Sequence, residues 1–159
     1  MPRSILLVED NEDDVFFITR AFKAAGLPVS LTRVENGQRA IDYLSQRPPF
    51  DDLARFPIPA LVLLDLKMPF LSGFEVLRWI RQESRNARVP VIVFTSSNQE
   101  RDIEQAYELG ANAYLVKPDR ADACSELAGL IKQFWLEANL PPPVKPALTV
   151  LQDAAGKRV

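Results

Sequence analysis

The sequence contains no histidine and only one cysteine, Cys124, among its 159 residues. Without histidine the chain cannot form an imidazole-based catalytic triad, a histidine proton shuttle or the HExxH zinc site of a metalloprotease. A single cysteine excludes an internal disulfide and a zinc site built from cysteines. These absences remove several large classes of enzymes and metalloproteins.

The sequence also lacks long apolar runs and an excess of positive charge. No segment approaches the roughly 18 apolar residues of a membrane-spanning helix. The N-terminal apolar run is too short for a signal peptide, and acidic residues follow it at once. The net charge of −2 and the pI near 5.3 are opposite to the basic character of most nucleic-acid-binding proteins. We therefore expect a cytoplasmic protein that binds neither DNA nor a membrane.

Short apolar segments alternate with amphipathic segments along the chain. Short apolar runs predict strands at residues 5–8, 60–64, 89–94 and 113–116, and alternating apolar and polar residues predict an outer strand at residues 29–34. Helical periodicity predicts a helix after each strand, and Ser72–Glu75 and Ser97–Glu100 match the pattern of a capping box. Strict alternation of strands and helices predicts an α/β fold with a parallel sheet and helices on both faces.

The length of the chain favours one domain, which we place at residues 1–137. Residues 46–59 contain four prolines and predict a long surface loop. A domain boundary there is disfavoured, because the alternation of strands and helices resumes afterwards. Residues 138–159 contain four further prolines and predict a flexible C-terminal tail.

Polar side chains end four of the five predicted strands: Glu9 with Asp10, Asp65, Thr95 and Lys117. The carboxyl ends of parallel strands form one edge of a sheet, where ligands of open α/β folds bind. Carboxylates gathered there repel one another by about 4 kcal/mol per pair at 4 Å, so a cation is needed to offset the cost. Oxygen ligands that leave positions for water and phosphate favour Mg²⁺. The lysine and the threonine supply a fixed cation and a hydroxyl donor, which suit phosphoryl transfer.

Each of these residues also has a simpler interpretation. Asp10 could only cap the first helix. Lys117 could be an ordinary solvated lysine, since lysines are mostly exposed. Tyr114 could be a core aromatic of the last strand. The hypothesis of a phosphoryl site therefore depends on the convergence of the strand ends and not on any one residue.

Taken together, these residues resemble the receiver domain of two-component response regulators over about residues 4–134. The matching features are Glu9-Asp10, Asp65 with Lys67-Met68-Pro69 and Gly73, Thr95, Tyr114 and Lys117-Pro118. The proline-bearing loop and residues 132–137 are more narrowly similar to single-domain regulators paired with bacterial phytochromes. Phe70 departs from the family pattern, which often has a small residue there. The resemblance implies a flavodoxin-like, doubly wound, five-stranded parallel sheet of order 2-1-3-4-5 with five helices.

The resemblance implies that Asp65 accepts a phosphoryl group from a phosphohistidine of a sensor histidine kinase. In this scheme Asp10, Asp65 and the backbone carbonyl of Lys67 ligate Mg²⁺, and Glu9 assists through water. The chain would then be a phosphoacceptor signalling protein and not an enzyme, although it would promote its own phosphotransfer and slow dephosphorylation.

The resemblance also assigns roles at the other strand ends. Lys117 would pair with a phosphoryl oxygen, and the bond before Pro118 would be cis. Thr95 and Tyr114 would be the switch residues that carry the change to the surface. A sensor histidine kinase, possibly of the phytochrome type, and a downstream protein would be the partners. A homodimer through the last strand and helix is a further expectation, suggested by the adjacent aromatic residues 134 and 135.

Three alternatives remain open at this point. A flavodoxin-like cofactor binder would need a phosphate-binding loop rich in Ser, Thr and Gly after the first strand, where this chain is acidic. An aspartate-nucleophile phosphohydrolase would resemble its family in having a second acid two residues after the nucleophile, where this chain has Lys67. A receiver-like scaffold that is never phosphorylated would share the same motifs.

Overall fold

The computed structural model describes residues 3–26 and 30–147. It contains five strands: β1 (Ser4–Val8), β2 (Ser30–Val34), β3 (Leu61–Leu64), β4 (Val91–Thr95) and β5 (Ala113–Val116). They form one parallel sheet in the order β2-β1-β3-β4-β5. Each strand begins and ends within about two residues of its predicted bounds. The predicted flavodoxin-like α/β fold is therefore confirmed.

Helices follow all five strands: α1 (Glu12–Ala24), α2 (Gly37–Leu44), α3 (Gly73–Gln82), α4 (Glu100–Glu108) and α5 (Ala121–Ile131). Apolar residues of α1 and α5 pack on one face of the sheet, and those of α2, α3 and α4 pack on the other. This arrangement buries both faces, which explains why β1, β3 and β4 are continuous apolar runs. Within the described ranges, no helix is both long and apolar enough to cross a membrane.

One of the two predicted capping boxes is present. Ser72 and Glu75 bond to each other's backbone amides at the start of α3, as predicted. The capping box predicted from Ser97 is wrong, because α4 has Gln99 at its N-cap position. The Ser97 hydroxyl instead donates to the carboxylate of Asp102. The Ser97 oxygen accepts from the Gln99 amide at 3.3 Å instead of from the Glu100 amide that the predicted capping box would use.

The predicted long loop between α2 and β3 is present, but it is not wholly at the surface. Phe50 is buried between Tyr43 and Phe56, with ring centroids 5.1 Å and 5.2 Å away. The Tyr43 hydroxyl donates to the carbonyl of Pro57 at 2.9 Å. This aromatic cluster fixes the loop against the face of the sheet that carries α2 and α3.

The chain continues from α5 into a π-helical segment, Lys132–Ala138. The helical periodicity of the sequence predicts Leu130 and Phe134 on the buried face of the last helix, but they are 62% and 55% exposed. Leu136 is buried in their place. A π-helix has more residues in each turn than an α-helix, so a period of 3.6 assigns the wrong residues to the core from Lys132 onwards; this accounts for Phe134 but not for Leu130, which lies in α5.

Part of the segment predicted as a tail contacts the rest of the protein. Lys145 and Asn86 exchange two hydrogen bonds, at 3.1 Å and 2.7 Å. Residues 148–159 lie outside the described residues, so their predicted flexibility and the boundary after residue 137 remain predictions. The observed contact lies beside the amino end of β4, at the edge of the sheet away from the ends of the strands that carry Asp65.

Gly73 provides a test of how closely α3 packs on the loop that follows β3. A Cβ at this position would lie 2.7 Å from the Cα of Leu66 and would also overlap the carbonyl oxygen of Asp65. Because backbone atoms cannot move aside as a flexible side chain can, Gly73→Ala should lower the free energy of unfolding by about 1 to 3 kcal/mol. Urea denaturation measures this change.

Gly129, inside α5, is the matched control. No heavy atom lies within 4 Å of a Cβ added there. Gly129→Ala should therefore raise the free energy of unfolding by about 0.5 to 1 kcal/mol, since alanine is the better helix former. Equal stability of Gly73→Ala and the wild type would contradict the packing described for α3.

Candidate functional site

The register of the sheet brings the ends of β1 and β3 side by side. Val8 lies opposite Leu64, so the residues that follow them, Glu9 and Asp65, are neighbours. The Asp65 amide donates to the carbonyl of Val8 at 3.1 Å. The backbone of the sheet therefore fixes the spacing of the two carboxylates before any side-chain contact is considered.

The ends of β4 and β5 meet in the same way. Thr95 lies opposite Val116, and the amide of the next residue, Lys117, donates to the Thr95 carbonyl at 2.7 Å. Since all five strands are parallel, these two residues lie at the same edge of the sheet as Glu9 and Asp65. The strand pairing therefore brings these polar residues together at one edge of the sheet, as the sequence predicts.

Three carboxylates form a cluster at this edge. Glu9, Asp10 and Asp65 each place one oxygen within 4.8 Å of the other two. Glu9 is 1% exposed and Asp65 is 5% exposed, so water screens their charges poorly. At an effective dielectric near 20, each ionised pair at such distances costs roughly 3 to 4 kcal/mol. The cluster therefore requires positive charge nearby.

The ammonium group of Lys117 supplies part of that charge. Its Nζ lies 2.6 Å from Glu9, 2.8 Å from Asp14 and 3.5 Å from Asp65, and its side chain is 12% exposed. Burial disfavours the charged form, but the hydrogen bonds to Asp14 and Glu9 and the charge of Asp65 outweigh it and raise the pKa of Lys117. The lysine is therefore a permanent cation of the site.

The lysine does not neutralise the whole cluster. Burial raises the pKa of Glu9 to about 7, and the charge of Asp65 adds to this effect while the hydrogen bond from Lys117 opposes it. One ammonium shared among several carboxylates leaves the site negative. Carboxylate oxygens are hard ligands, and they favour hard divalent ions such as Mg²⁺ or Mn²⁺. The residues present therefore fit a divalent cation beside Lys117.

Two residues of this pocket were missed by the sequence analysis. Asp14 binds Lys117, and the only signal in the sequence is its place four residues after Asp10 in the first turn of α1. Arg33 donates to the carbonyl of Glu9 at 2.9 Å and to the carbonyl of Asp10 at 3.3 Å. It thereby fixes the backbone that presents both carboxylates. No sequence motif marks this arginine.

The predicted switch residues meet at Ser97, in the loop between β4 and α4. Thr95 is fully buried, and its Oγ1 lies 3.5 Å from the Ser97 amide nitrogen. The Tyr114 hydroxyl donates to the Ser97 carbonyl at 2.9 Å. The structure thus connects both side chains to one loop. The switch roles of Thr95 and Tyr114 remain predictions.

The side chain of Lys67 is directed to a residue that the sequence analysis did not select. Its Nζ lies 3.3 Å from Asp102 Oδ2, and its amide nitrogen lies 3.5 Å from Asp65 Oδ1. Asp102 is 5% exposed and accepts the Ser97 hydroxyl, which lowers the pKa of Asp102. The sequence did hold a signal, since Asp102 lies four residues before Ala106 on the buried side of α4.

Phe70 has an unusual backbone conformation, and the peptide bond before Pro118 differs from the expected one. Phe70 is 99% exposed and has a φ angle of 66°, in the left-handed region that disfavours non-glycine residues. The cis bond expected before Pro118 is wrong, since the cis peptide bond of the described residues is Pro48–Pro49. The exposed phenyl group gains nothing from burial, so folding does not account for its presence.

Comparison with known proteins agrees with this geometry. The profile of the response regulator receiver domain family matches residues 5–128. The chain is 36% identical over 141 residues to the probable methanogenesis regulatory protein FilR2 of Methanothrix harundinacea, covering 89% of this chain and 88% of that protein. It is 35% identical over 141 residues to the response regulator Rcp1 of Synechocystis, covering 89% of this chain and 94% of Rcp1.

Solved structures show the same similarity in three dimensions. The Mn²⁺-bound form of Rcp1 superimposes with a TM-score of 0.79 at 34% identity, covering 89% of this chain and all of that chain (100%). The phosphorylated cyanobacterial phytochrome response regulator RcpA superimposes with a TM-score of 0.81 at 33% identity, covering 90% and 100% of the two chains. Sequence, fold and site agree, and the chain belongs to the response regulator receiver domain family.

Proposed function

We propose that this protein is a response regulator whose Asp65 accepts a phosphoryl group from a sensor histidine kinase in a Mg²⁺-dependent reaction. The observation that carries the proposal is the buried Asp65 carboxylate, 3.5 Å from the protonated Lys117 and beside two further carboxylates. This arrangement suits the transfer of a dianionic group to a carboxylate better than it suits the binding of a flavin phosphate.

In the proposed reaction a carboxylate oxygen of Asp65 attacks the phosphorus atom, and the kinase histidine leaves. Lys117 bonds an oxygen of the transferred group, as a fixed cation that needs no rearrangement. Asp10, Asp65 and the Lys67 carbonyl would hold Mg²⁺, with Glu9 assisting through water. The metal would neutralise the charge of the transferring phosphoryl group. The Mn²⁺-bound form of Rcp1 supports a divalent cation at this site.

The proposed output is a change of the surface near α4 and β5. The phosphoryl group places new negative charge beside β4, where the Thr95 hydroxyl can donate a charge-assisted hydrogen bond to it. Movement of Thr95 would pull on the Ser97 amide, and Tyr114 holds the carbonyl of the same residue. A contact made in only one state can bias a two-state surface that a downstream protein reads.

Acetyl phosphate tests the acceptor. With MgCl₂ it should place one phosphoryl group on each chain, because the site itself supplies the nucleophile and the cations. Asp65→Asn and an excess of EDTA should each abolish the label, measured by intact-protein mass spectrometry or by a phosphate-affinity gel.

Asp51→Asn is the matched control, since it removes an exposed aspartate from the loop before β3. This variant should be labelled like the wild type. A label that persists in Asp65→Asn would disprove the proposed acceptor. A wild-type chain that takes no label under any condition would favour the scaffold that is never phosphorylated.

We further propose that the kinase contacts Phe70 and that it is of the phytochrome type. RcpA is described as a phytochrome response regulator, which supports this pairing. Phe70 is five residues after Asp65 and fully exposed, where it can contact a kinase helix that delivers the phosphoryl group. An exposed aromatic anchor often contributes more than 1 kcal/mol to an interface.

Phe70→Ala should slow phosphotransfer from an autophosphorylated bacterial phytochrome by about tenfold, as expected for the loss of a contact worth about 1.4 kcal/mol. Labelling by acetyl phosphate should stay within a factor of about two, because a small donor does not need the contact. Leu140→Ala, which changes another exposed apolar side chain, is the control. Unchanged transfer from the kinase to Phe70→Ala would reject the proposed contact.

A second copy of the chain is the other proposed partner, through β5 and α5. Val116, Leu130 and Phe134 are 43%, 62% and 55% exposed, although they are apolar. Leu130 and Phe134 lie four residues apart at the end of the last helix, and an exposed apolar pair of this kind is typical of contact sites. Analytical ultracentrifugation of the wild type should show a dimer at micromolar concentration, and Phe134→Glu should give a monomer.

Leu140→Glu is the control, because it changes an exposed apolar side chain outside β5 and α5, and it should leave the dimer intact. A wild type that sediments as a monomer at high concentration, both with and without acetyl phosphate, would exclude this association.

A further inference from the structure

A single carboxylate oxygen connects the two loops that border the candidate site. Asp102 Oδ2 lies 3.3 Å from the ammonium nitrogen of Lys67 and 2.5 Å from the hydroxyl oxygen of Ser97. Lys67 belongs to the loop after β3, and Ser97 belongs to the loop after β4. Asp102 itself lies in the first turn of α4. The Asp102 carboxylate therefore joins three segments: the loop after β3 (the acceptor loop), the loop after β4 (the switch loop) and α4.

Both residues that contact Asp102 lie two positions after a residue of the candidate site. Lys67 is two residues after Asp65, and its amide nitrogen is 3.5 Å from Asp65 Oδ1. Ser97 is two residues after Thr95, and its amide nitrogen is 3.5 Å from Thr95 Oγ1. A new charge on Asp65 will therefore act on Lys67 and Thr95, which lie close to Asp102 and to its partner Ser97.

The two partners of Asp102 differ in how firmly they are held. The side chain of Asp102 is 7% exposed, while that of Lys67 is 57% exposed. A buried carboxylate needs partners, because an unpaired buried charge is costly. A half-exposed lysine, in contrast, exchanges one partner for another at little cost, since exposed ion pairs are weak. The ammonium is therefore the member of the network that can move.

We propose that Asp102 is a positioning residue for Lys67: it holds the ammonium away from Asp65 until an anion on Asp65 draws it across. The inference rests on the proposed function, because the anion is the phosphoryl group. When the ammonium leaves, Asp102 keeps its bond to Ser97 but loses its tie to the acceptor loop. Phosphorylation in this way separates α4 from the loop after β3, independently of the Thr95 hydroxyl.

Beryllofluoride, which mimics a phosphoryl group on aspartate, tests the competition at equilibrium. Its dissociation constant is measured by ¹⁹F NMR in the presence of MgCl₂. Asp102→Asn keeps an oxygen that accepts from Ser97 but removes the charge that holds Lys67. We expect it to bind beryllofluoride about threefold more tightly than the wild type, the size of effect that a weak ion pair allows. Lys67→Ala, which keeps the backbone carbonyl, should bind about threefold more weakly.

The double variant distinguishes positioning from a general charge effect. If Asp102 acts through Lys67, Asp102→Asn should have no further effect in the Lys67→Ala background. Glu104→Gln removes the same charge from an exposed position on α4 and should leave the affinity unchanged. Tighter binding that persists in the double variant, or that Glu104→Gln reproduces, would overturn the proposal. So would wild-type affinity in Asp102→Asn.

A second measurement uses the wild type and does not depend on the folding of a variant. The ε-methylene ¹³C signal of Lys67, assigned by its loss in Lys67→Ala, should shift when beryllofluoride binds. Binding that leaves this signal in place would overturn the positioning role while leaving phosphorylation intact. A wild type that neither binds beryllofluoride nor is labelled by acetyl phosphate would overturn the proposed function, and this inference with it.

Discussion

The ammonium group of Lys117 is the contact on which the rest of the site depends. It is the cation that touches Glu9, Asp14 and Asp65, and its side chain is 12% exposed. Without it the buried carboxylates would repel one another, and without them a buried ammonium would have no partner. The pocket is therefore held together by its own charges, yet it remains negative. That imbalance favours the binding of a divalent cation.

The two edges of the sheet use arginine and lysine differently. At the edge away from the site, Arg81 donates to the carbonyls of Ala87, Val89 and Gly110, with distances of 2.7 to 2.9 Å. These neutral acceptors hold the neighbouring loops together, and burial lowers the pKa of the guanidinium. At the site edge Lys117 faces carboxylates. The contacts of Arg81 therefore stabilise the loops at one edge. At the other edge an excess of negative charge remains, which a cation can neutralise.

The polar groups of the site form two connected layers. The first consists of Lys117 and the carboxylates around it, which include Glu9, Asp14 and Asp65. The second contains Ser97 and Asp102, which join the loop after β4 to α4 and reach the loop after β3 through Lys67. Tyr114 attaches to the same loop from β5. Two sets of contacts therefore connect the edge that carries Asp65 with the segments around α4, one through Thr95 and Ser97 and one through Lys67 and Asp102.

Much of the fold follows from short stretches of sequence. Continuous apolar runs identified β1, β3 and β4, because strands buried on both faces have no polar side. The convergence of Glu9, Asp65 and Lys117 was also predictable, since parallel strands place their carboxyl ends at one edge. Even the capping box at Ser72 is a local pattern, and it was found. In each case the signal lies within a few residues or follows from the direction of the strands.

The sequence by itself determined the strands, the helices and the charges that end the strands. Only the tertiary structure decided which side chains those charges meet. Asp14 binds a lysine 103 residues away. Asp102 accepts a hydrogen bond from Ser97, which was expected to cap a helix, and forms an ion pair with Lys67. Such partners are chosen by distance in space after the sheet has formed, whereas the periodicity of a sequence reports only on neighbours along the chain.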